Sequence, residues 1–142
     1  MQFLMEQQSE PLELVVTGEA EYWLDALKRT VGPQWLRIRV VRDGDALLVA
    51  VQTSRVDAVV VDDQAYGVDS PELLIRKIRR VRPVMPVILV SDRSDRQSLE
   101  DAMRLAVFTV LARPVGFEML LRQIHGIMLR LAKELYPWEN SL

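Results

Sequence analysis

Five short runs rich in β-branched residues alternate with stretches of helical periodicity along this chain, and that alternation constrains the fold more than any single motif. The runs cover residues 12–16, 36–41, 58–61, 86–90 and 109–112. The third is apolar without alternation, as in a central parallel strand covered on both faces. The second sets Ile38 and Val40 against Arg37 and Arg39, the pattern of a sheet edge. Pro86 is tolerable as the first residue of a strand, where it interrupts no ladder. Strand followed by helix, repeated five times, predicts a three-layer α/β sandwich around a parallel sheet.

The helical stretches are expected over residues 19–31, 46–53, 71–81, 97–106 and 117–135. Trp23, Leu24, Leu27 and Val31 lie on one side of the first, which Gly32 and Pro33 end. Asp45 is the expected N-cap of the second. Ser70, Pro71 and Glu72 open the third with an N-cap, a first-turn proline and a charge that suits the helix dipole. Its expected core stripe is Leu74, Ile78 and Val81. Ser94 and Gln97 are spaced as a capping box for the fourth, with Leu99, Ala102, Met103 and Ala106 as its apolar face. The fifth carries a long stripe, Leu120, Leu121, Ile124, Ile127, Met128, Leu131 and Leu135, and Pro137 stops it.

Composition narrows the function classes. A chain of 142 residues is expected to form one domain with a real core. It contains no cysteine, which excludes disulfides, zinc thiolates and a thiol nucleophile. A net charge of −2 gives no global reason to expect nucleic acid as partner. No apolar run is long enough for a membrane span, and the N-terminus lacks the basic start and apolar centre of a signal peptide. An intracellular, cytoplasmic protein with no membrane partner is the expectation.

In an open parallel sheet, sites form beyond the carboxyl ends of the strands. Those ends carry Thr17, Gly18 and Glu19 after the first strand and Asp62 and Asp63 after the third. Ser91 and Asp92 follow the fourth, and Arg113 and Pro114 the fifth. With strands ordered 2-1-3-4-5, a carboxylate, a hydroxyl and a cation converge on one rim, a trio suited to a phosphoryl group.

From residue 12 to residue 127 the chain resembles a receiver domain of two-component response regulators. Asp57-Ala-Val-Val-Val-Asp62 resembles the strand that ends in the phosphoacceptor aspartate. Gly67, Asp69, Glu72 and Leu73 stand where the family keeps Gly, Asp, Glu and Leu. Pro86-Val-Ile-Leu-Val-Ser91 is similar to the fourth strand with its terminal Ser or Thr, and Leu111-Ala-Arg113-Pro114-Val115 to the family's Leu-x-Lys-Pro-Phe. The resemblance implies the flavodoxin-like sheet order 2-1-3-4-5 with five helices. It also implies Asp62 as phosphoacceptor, Ser91 and Arg113 as its partners, a Mg²⁺ ion, and a histidine kinase or output protein as partner. By this reading residues 1–11 are a tail, 12–127 the receiver-like domain and 128–142 a helix extension and tail.

The sequence also departs from the family. The acidic pair that holds the metal with the acceptor aspartate is replaced by Thr17 and Gly18, which leaves Asp62, Asp63 and Glu19, one residue late, as possible ligands. Carboxylates are what a hard cation wants, and a metal is what lets one anion attack another. Arg113 replaces lysine, a planar fork for a point charge, and is expected either to pair with Asp62 or to swing into solvent. Val110 occupies the place of the family's switching aromatic. Arg113–Pro114 is expected to be cis, as the family's Lys-Pro bond usually is.

The expected function is therefore an atypical receiver, or pseudo-receiver, that works through protein contacts with weak or no Mg²⁺-dependent phosphorylation. A receiver with a non-standard metal site and a flavodoxin-like small-molecule binder are the alternatives. Turnover as an enzyme is not expected. Met128, Leu131 and Leu135 are expected to project past the body, with Gly126 weakening the helix, so a homodimer through the last helix and the fourth- and fifth-strand face is a further expectation. Alternatively the tail folds back with Trp138 as anchor. The basic run from Ile75 to Arg82 could bind an acidic partner or nucleic acid, but is expected to be a solvated helix face, since Ile75, Ile78 and Val81 break it up at core spacing; the lone His125 is expected to be a surface or interface residue.

Overall fold

The computed structural model describes residues 10–18, 22–65 and 70–135. Glu19, Tyr66, Gly67, Asp69, Pro137 and Trp138 lie outside the described residues. In chain order the elements are β1 Leu12–Thr17, α1 Tyr22–Thr30, β2 Leu36–Val41, α2 Gly44–Thr53, β3 Ala58–Asp62, α3 Pro71–Val81, β4 Val87–Val90, α4 Arg96–Arg104, β5 Thr109–Leu111 and α5 Phe117–Leu135. The five strands form one parallel sheet in the order β2-β1-β3-β4-β5.

Period-two alternation along the central strands builds two cores. Leu14, Val16, Ala58, Val60, Ile88 and Val90 face α1 and α5, meeting Trp23, Leu27, Leu120 and Ile124. Val15, Val59, Val61, Val87 and Leu89 face α2 and α3, meeting Leu47, Val51, Ile75 and Ile78. β3 is buried on both faces, as its unbroken apolar run requires. β2 is an edge strand, with Val40 38% exposed and Arg37 and Arg39 in solvent.

The differences from expectation lie at helix ends and outer helices. Asp43, not Asp45, caps α2, its carboxylate accepting from the Ala46 N–H at 2.8 Å. Asp95, not Ser94, caps α4, accepting from Ser98 N at 3.1 Å. Either neighbour satisfies the sequence pattern; the chain's entry angle selects one. Ser70 caps α3 as expected. In α3 Leu74, Ile75 and Ile78 are buried, while Val81, expected in the core stripe, is 37% exposed at the helix end. In α4 Ala102 is buried, while Leu99 and Met103 are 42% and 79% exposed. Met128 does not project: it is 3% exposed, and Leu131 packs on the same core. Gly126 serves packing, since a Cβ there would meet Phe108 Cζ at 3.1 Å.

Candidate functional site

β1 and β3 reach the rim side by side, joined by a threonine. Thr17, 2% exposed, donates its hydroxyl to the Val60 carbonyl at 3.3 Å and accepts from the Asp62 N–H at 2.9 Å. Both of its hydrogen-bonding functions are thus used in stapling the two strands. Gly18 follows at φ +97°, a conformation that side chains disfavour.

Asp62 ends β3, and Oδ1 accepts from the Gln64 N–H at 2.8 Å, closing a turn that orients the carboxylate. Asp63 is held by its own N–H, which donates to the Val90 carbonyl at 3.0 Å. Arg113 spans the gap from β5. Its Nη2 donates to Oδ1 of both Asp62 and Asp63 and to the Val90 carbonyl. Its Nη1 reaches Asp92 Oδ2 at 3.2 Å, and its main-chain N–H reaches Asp92 Oδ1 at 2.8 Å. The Arg113 side chain is only 21% exposed, and those of Asp62 and Asp63 19% and 12%. Of the two orientations open to Arg113, the structure has the paired one. The planar fork explains the reach to three carboxylates, which a lysine's compact ammonium does not offer. The Arg113–Pro114 bond is cis.

Electrostatics follow from this geometry. Burial works against the Arg113 charge, but hydrogen bonds to Asp63 and Asp62, and their charges, outweigh it and raise the guanidinium's pKa. The Arg113 main-chain N–H holds the Asp92 carboxyl below the usual range, opposed in part by burial and helped by the guanidinium. Three carboxylates against one guanidinium leave the rim anionic.

Ser91 is 6% exposed and its N–H donates to the Leu111 carbonyl at 2.9 Å. Its Oγ accepts from the Arg93 N–H at 3.2 Å. Among the described residues no hydrogen bond joins it to Asp62 or Arg113. Asp92, read from the sequence only as a strand-end residue, is the partner that was missed. The signal was available: β4 and β5 are neighbours, so residues just past their ends must meet. Beside the rim a cavity of about 280 Å³ runs under Trp23, with Val16, Val60, Val90 and Val115 in its wall and Asp62 and Arg113 at its mouth.

The response regulator receiver domain family matches residues 15–125. Against curated proteins the sequence has no significant match. Among solved structures, the CheY-like receiver domain protein of Methanospirillum hungatei has a TM-score of 0.74 at 15% identity, covering 88% of this chain and 99% of its own. The signal receiver domain of an HD domain-containing protein from Pseudomonas fluorescens has 0.73 at 19% identity, covering 89% and 93%. An adenylate cyclase structure from Rhodopirellula baltica has 0.72 at 16%, covering 92% and 97%. These likenesses concern the fold. The family match spans most of the chain, which belongs to the response regulator receiver domain family of two-component signalling. Among the described residues no helix is long and apolar enough to cross a membrane.

Proposed function

We propose that this chain is a pseudo-receiver, in which a fixed arginine holds the aspartate, Asp62, that contacts a metal ion in the receivers it resembles. The observation that carries this is the guanidinium of Arg113, bonded at once to Asp62 and Asp63 and, through its other nitrogen, to Asp92. A constitutive cation there removes the repulsion that would otherwise make the rim responsive to metal and phosphate.

The donor set supports the same reading. The described residues do not fit Mg²⁺. Thr17 is committed as donor and as acceptor, Gly18 offers no side chain, and among the described residues no cluster of acidic or histidine side chains is arranged to hold a metal. A divalent cation would also have to displace or approach the guanidinium, against its charge. The chain's own groups order Asp62, but leave its attack on a phosphoryl donor without the metal neutralisation that reaction needs. No enzymatic turnover is part of this function.

Output then runs through protein contacts with a kinase or an output protein. Leu99 and Met103 on α4, and Met119 on α5, are exposed apolar side chains that fit such contact, including contact with a second copy. With Met128 in the core, the dimer proposal rests on these residues rather than on a projecting tail.

Intact mass after incubation with acetyl phosphate and Mg²⁺, beside Asp62→Asn, is the test. We expect no phosphate-sized gain in folded protein. A gain lost in Asp62→Asn would overturn the reading and establish a phosphorylatable receiver with a non-standard metal site.

A further inference from the structure

The basic run of α3 is divided by the fold in a way its sequence does not announce. Ile75 and Ile78 are fully buried, and Arg79 turns inward to three carbonyls, those of Met85, Leu105 and Ala106. Arg76, Lys77, Arg80 and Arg82 remain exposed, and among the described residues no carboxylate pairs with any of them. Elsewhere Arg37 pairs with Glu13, Arg55 with Glu10 and Asp57, Arg96 with Glu100 and Arg104 with Asp101, while the exposed Arg29, Arg39, Arg42 and Arg122 form no ion pair among the described residues; α3 differs in gathering four such cations on and just beyond one helix. With 20 acidic side chains to 18 basic ones, composition does not force a cationic face.

Arg76 and Arg80 stand four residues apart, so they share a helix face and repel. Leu73, on the same face, is 51% exposed, and beyond the helix end Val84 is 70% exposed. The surface therefore interleaves cations with aliphatic groups. At its lower end Arg82 Nη2 approaches the Ser54 carbonyl and Arg39 Nη1 the Ser54 hydroxyl, each at 3.5 Å. Two guanidinium groups thus converge on one residue without a carboxylate between them. A groove of about 430 Å³, walled by Glu13, Arg37, Arg39, Ser54 and Arg55, adjoins this point, with Glu13 paired to Arg37.

We infer that the outer face of α3, with Arg82 and Arg39 at its lower end, docks an acidic amphipathic segment of a partner protein. Carboxylates of that segment meet the unpaired cations, and its apolar side chains cover Leu73 and Val84. Protein is favoured over nucleic acid because the exposed non-cationic side chains named here are aliphatic. Base stacking needs aromatic platforms, which this face lacks among the residues that form it. Arg80, Arg82 and Val84 lie toward the end of α3 that leads to the start of β4, opposite Asp62.

The test is fluorescence anisotropy with a labelled peptide about four helical turns long, carrying Glu and Leu at helical spacing. A single-stranded oligonucleotide of equal charge and phosphatidylserine vesicles serve as comparators. We expect the peptide to bind and salt to weaken it. Arg76→Glu with Arg80→Glu should weaken it about tenfold or more, and Leu73→Ser with Val84→Ser several-fold. All four residues are exposed, so thermal melts should show both double variants folded. Asp62→Asn should bind like wild type, which separates failure here from failure of the pseudo-receiver reading. Tighter binding of the oligonucleotide or the vesicles, no binding of the peptide, or binding indifferent to both double variants overturns the inference.

Discussion

Two half-buried arginines, Arg113 and Arg79, hold opposite ends of this sheet by different chemistry. Arg113 closes the rim by bonding three carboxylates, and its pKa is raised. Arg79 closes the other end by donating to the carbonyls of Met85, Leu105 and Ala106, and its pKa is lowered, first by burial and then by Arg130. The first neutralises charge; the second satisfies main-chain acceptors that strand and helix ladders leave open. Among the described residues no buried side-chain polar atom lacks a partner, so both clamps are complete. A single residue type thus serves as counter-ion in one place and as a backbone brace in the other, and removing each should fail differently.

The larger effect should come at the rim. Arg113→Ala leaves Asp62 and Asp63 without their counter-ion, and we expect a loss of about 2–3 kcal/mol, discounted for partial exposure from the cost of orphaning a buried charge. Thermal denaturation should show that loss in EDTA, with Mg²⁺ restoring part of it, while wild-type stability stays indifferent to Mg²⁺. A wild type strongly stabilised by Mg²⁺ would sink the view that Arg113 serves in the cation's stead. Arg79→Met should cost about 1–2 kcal/mol, the order expected for unsatisfied carbonyls that water can partly reach. That loss should be indifferent to both Mg²⁺ and EDTA. A smaller effect tests the turn that Arg79 braces. Ala106 sits at φ +54°, a conformation costing a non-glycine residue about 1 kcal/mol. Ala106→Gly should therefore stabilise the protein by up to about 1 kcal/mol, by urea denaturation.

What the sequence made legible follows the same division. Strand order, the doubly buried β3 and the convergence of Asp62 and Arg113 were readable, because apolar periodicity and sheet topology fix which chain ends meet. Asp92 was legible in principle but read only as a strand end, since a residue that bonds through a neighbour's main-chain N–H leaves no compositional trace. Arg79 was hidden in a run of like residues; only the carbonyls of Met85, Leu105 and Ala106, brought beside α3 by the fold, single it out. Of the three residues at core spacing in that run, Ile75 and Ile78 are buried and Val81, at the helix end, is not. On α4 helical spacing was correct as a pattern but did not report coverage: at the sheet edge β5 is a strand of three residues, and Leu99 and Met103 have little to pack against. The length of α5 misled in the other direction, because Phe108 seats against Gly126 and Leu131 joins the core.

The smallest effect separates the two kinds of bond at Asp92. Its pKa is depressed chiefly by the Arg113 main-chain N–H and only then by the guanidinium. A carboxyl depressed in the folded state contributes stability above its unfolded pKa, near 4. That contribution is lost as pH falls through the lower folded value. Arg113→Ala keeps the N–H and removes the guanidinium, so Asp92 should move up only part of the way to the ordinary value. Carboxyl-detected NMR titration of Asp92 in wild type and variant reads this directly. A full return would mean that ion pairing, not the main-chain bond, sets its acidity. The rim would then be purely electrostatic, and high salt should loosen it. A partial return means that the loop after β5 is fixed by its backbone. The guanidinium then sits on a rigid mount, which is what a permanent substitute for a metal ion requires.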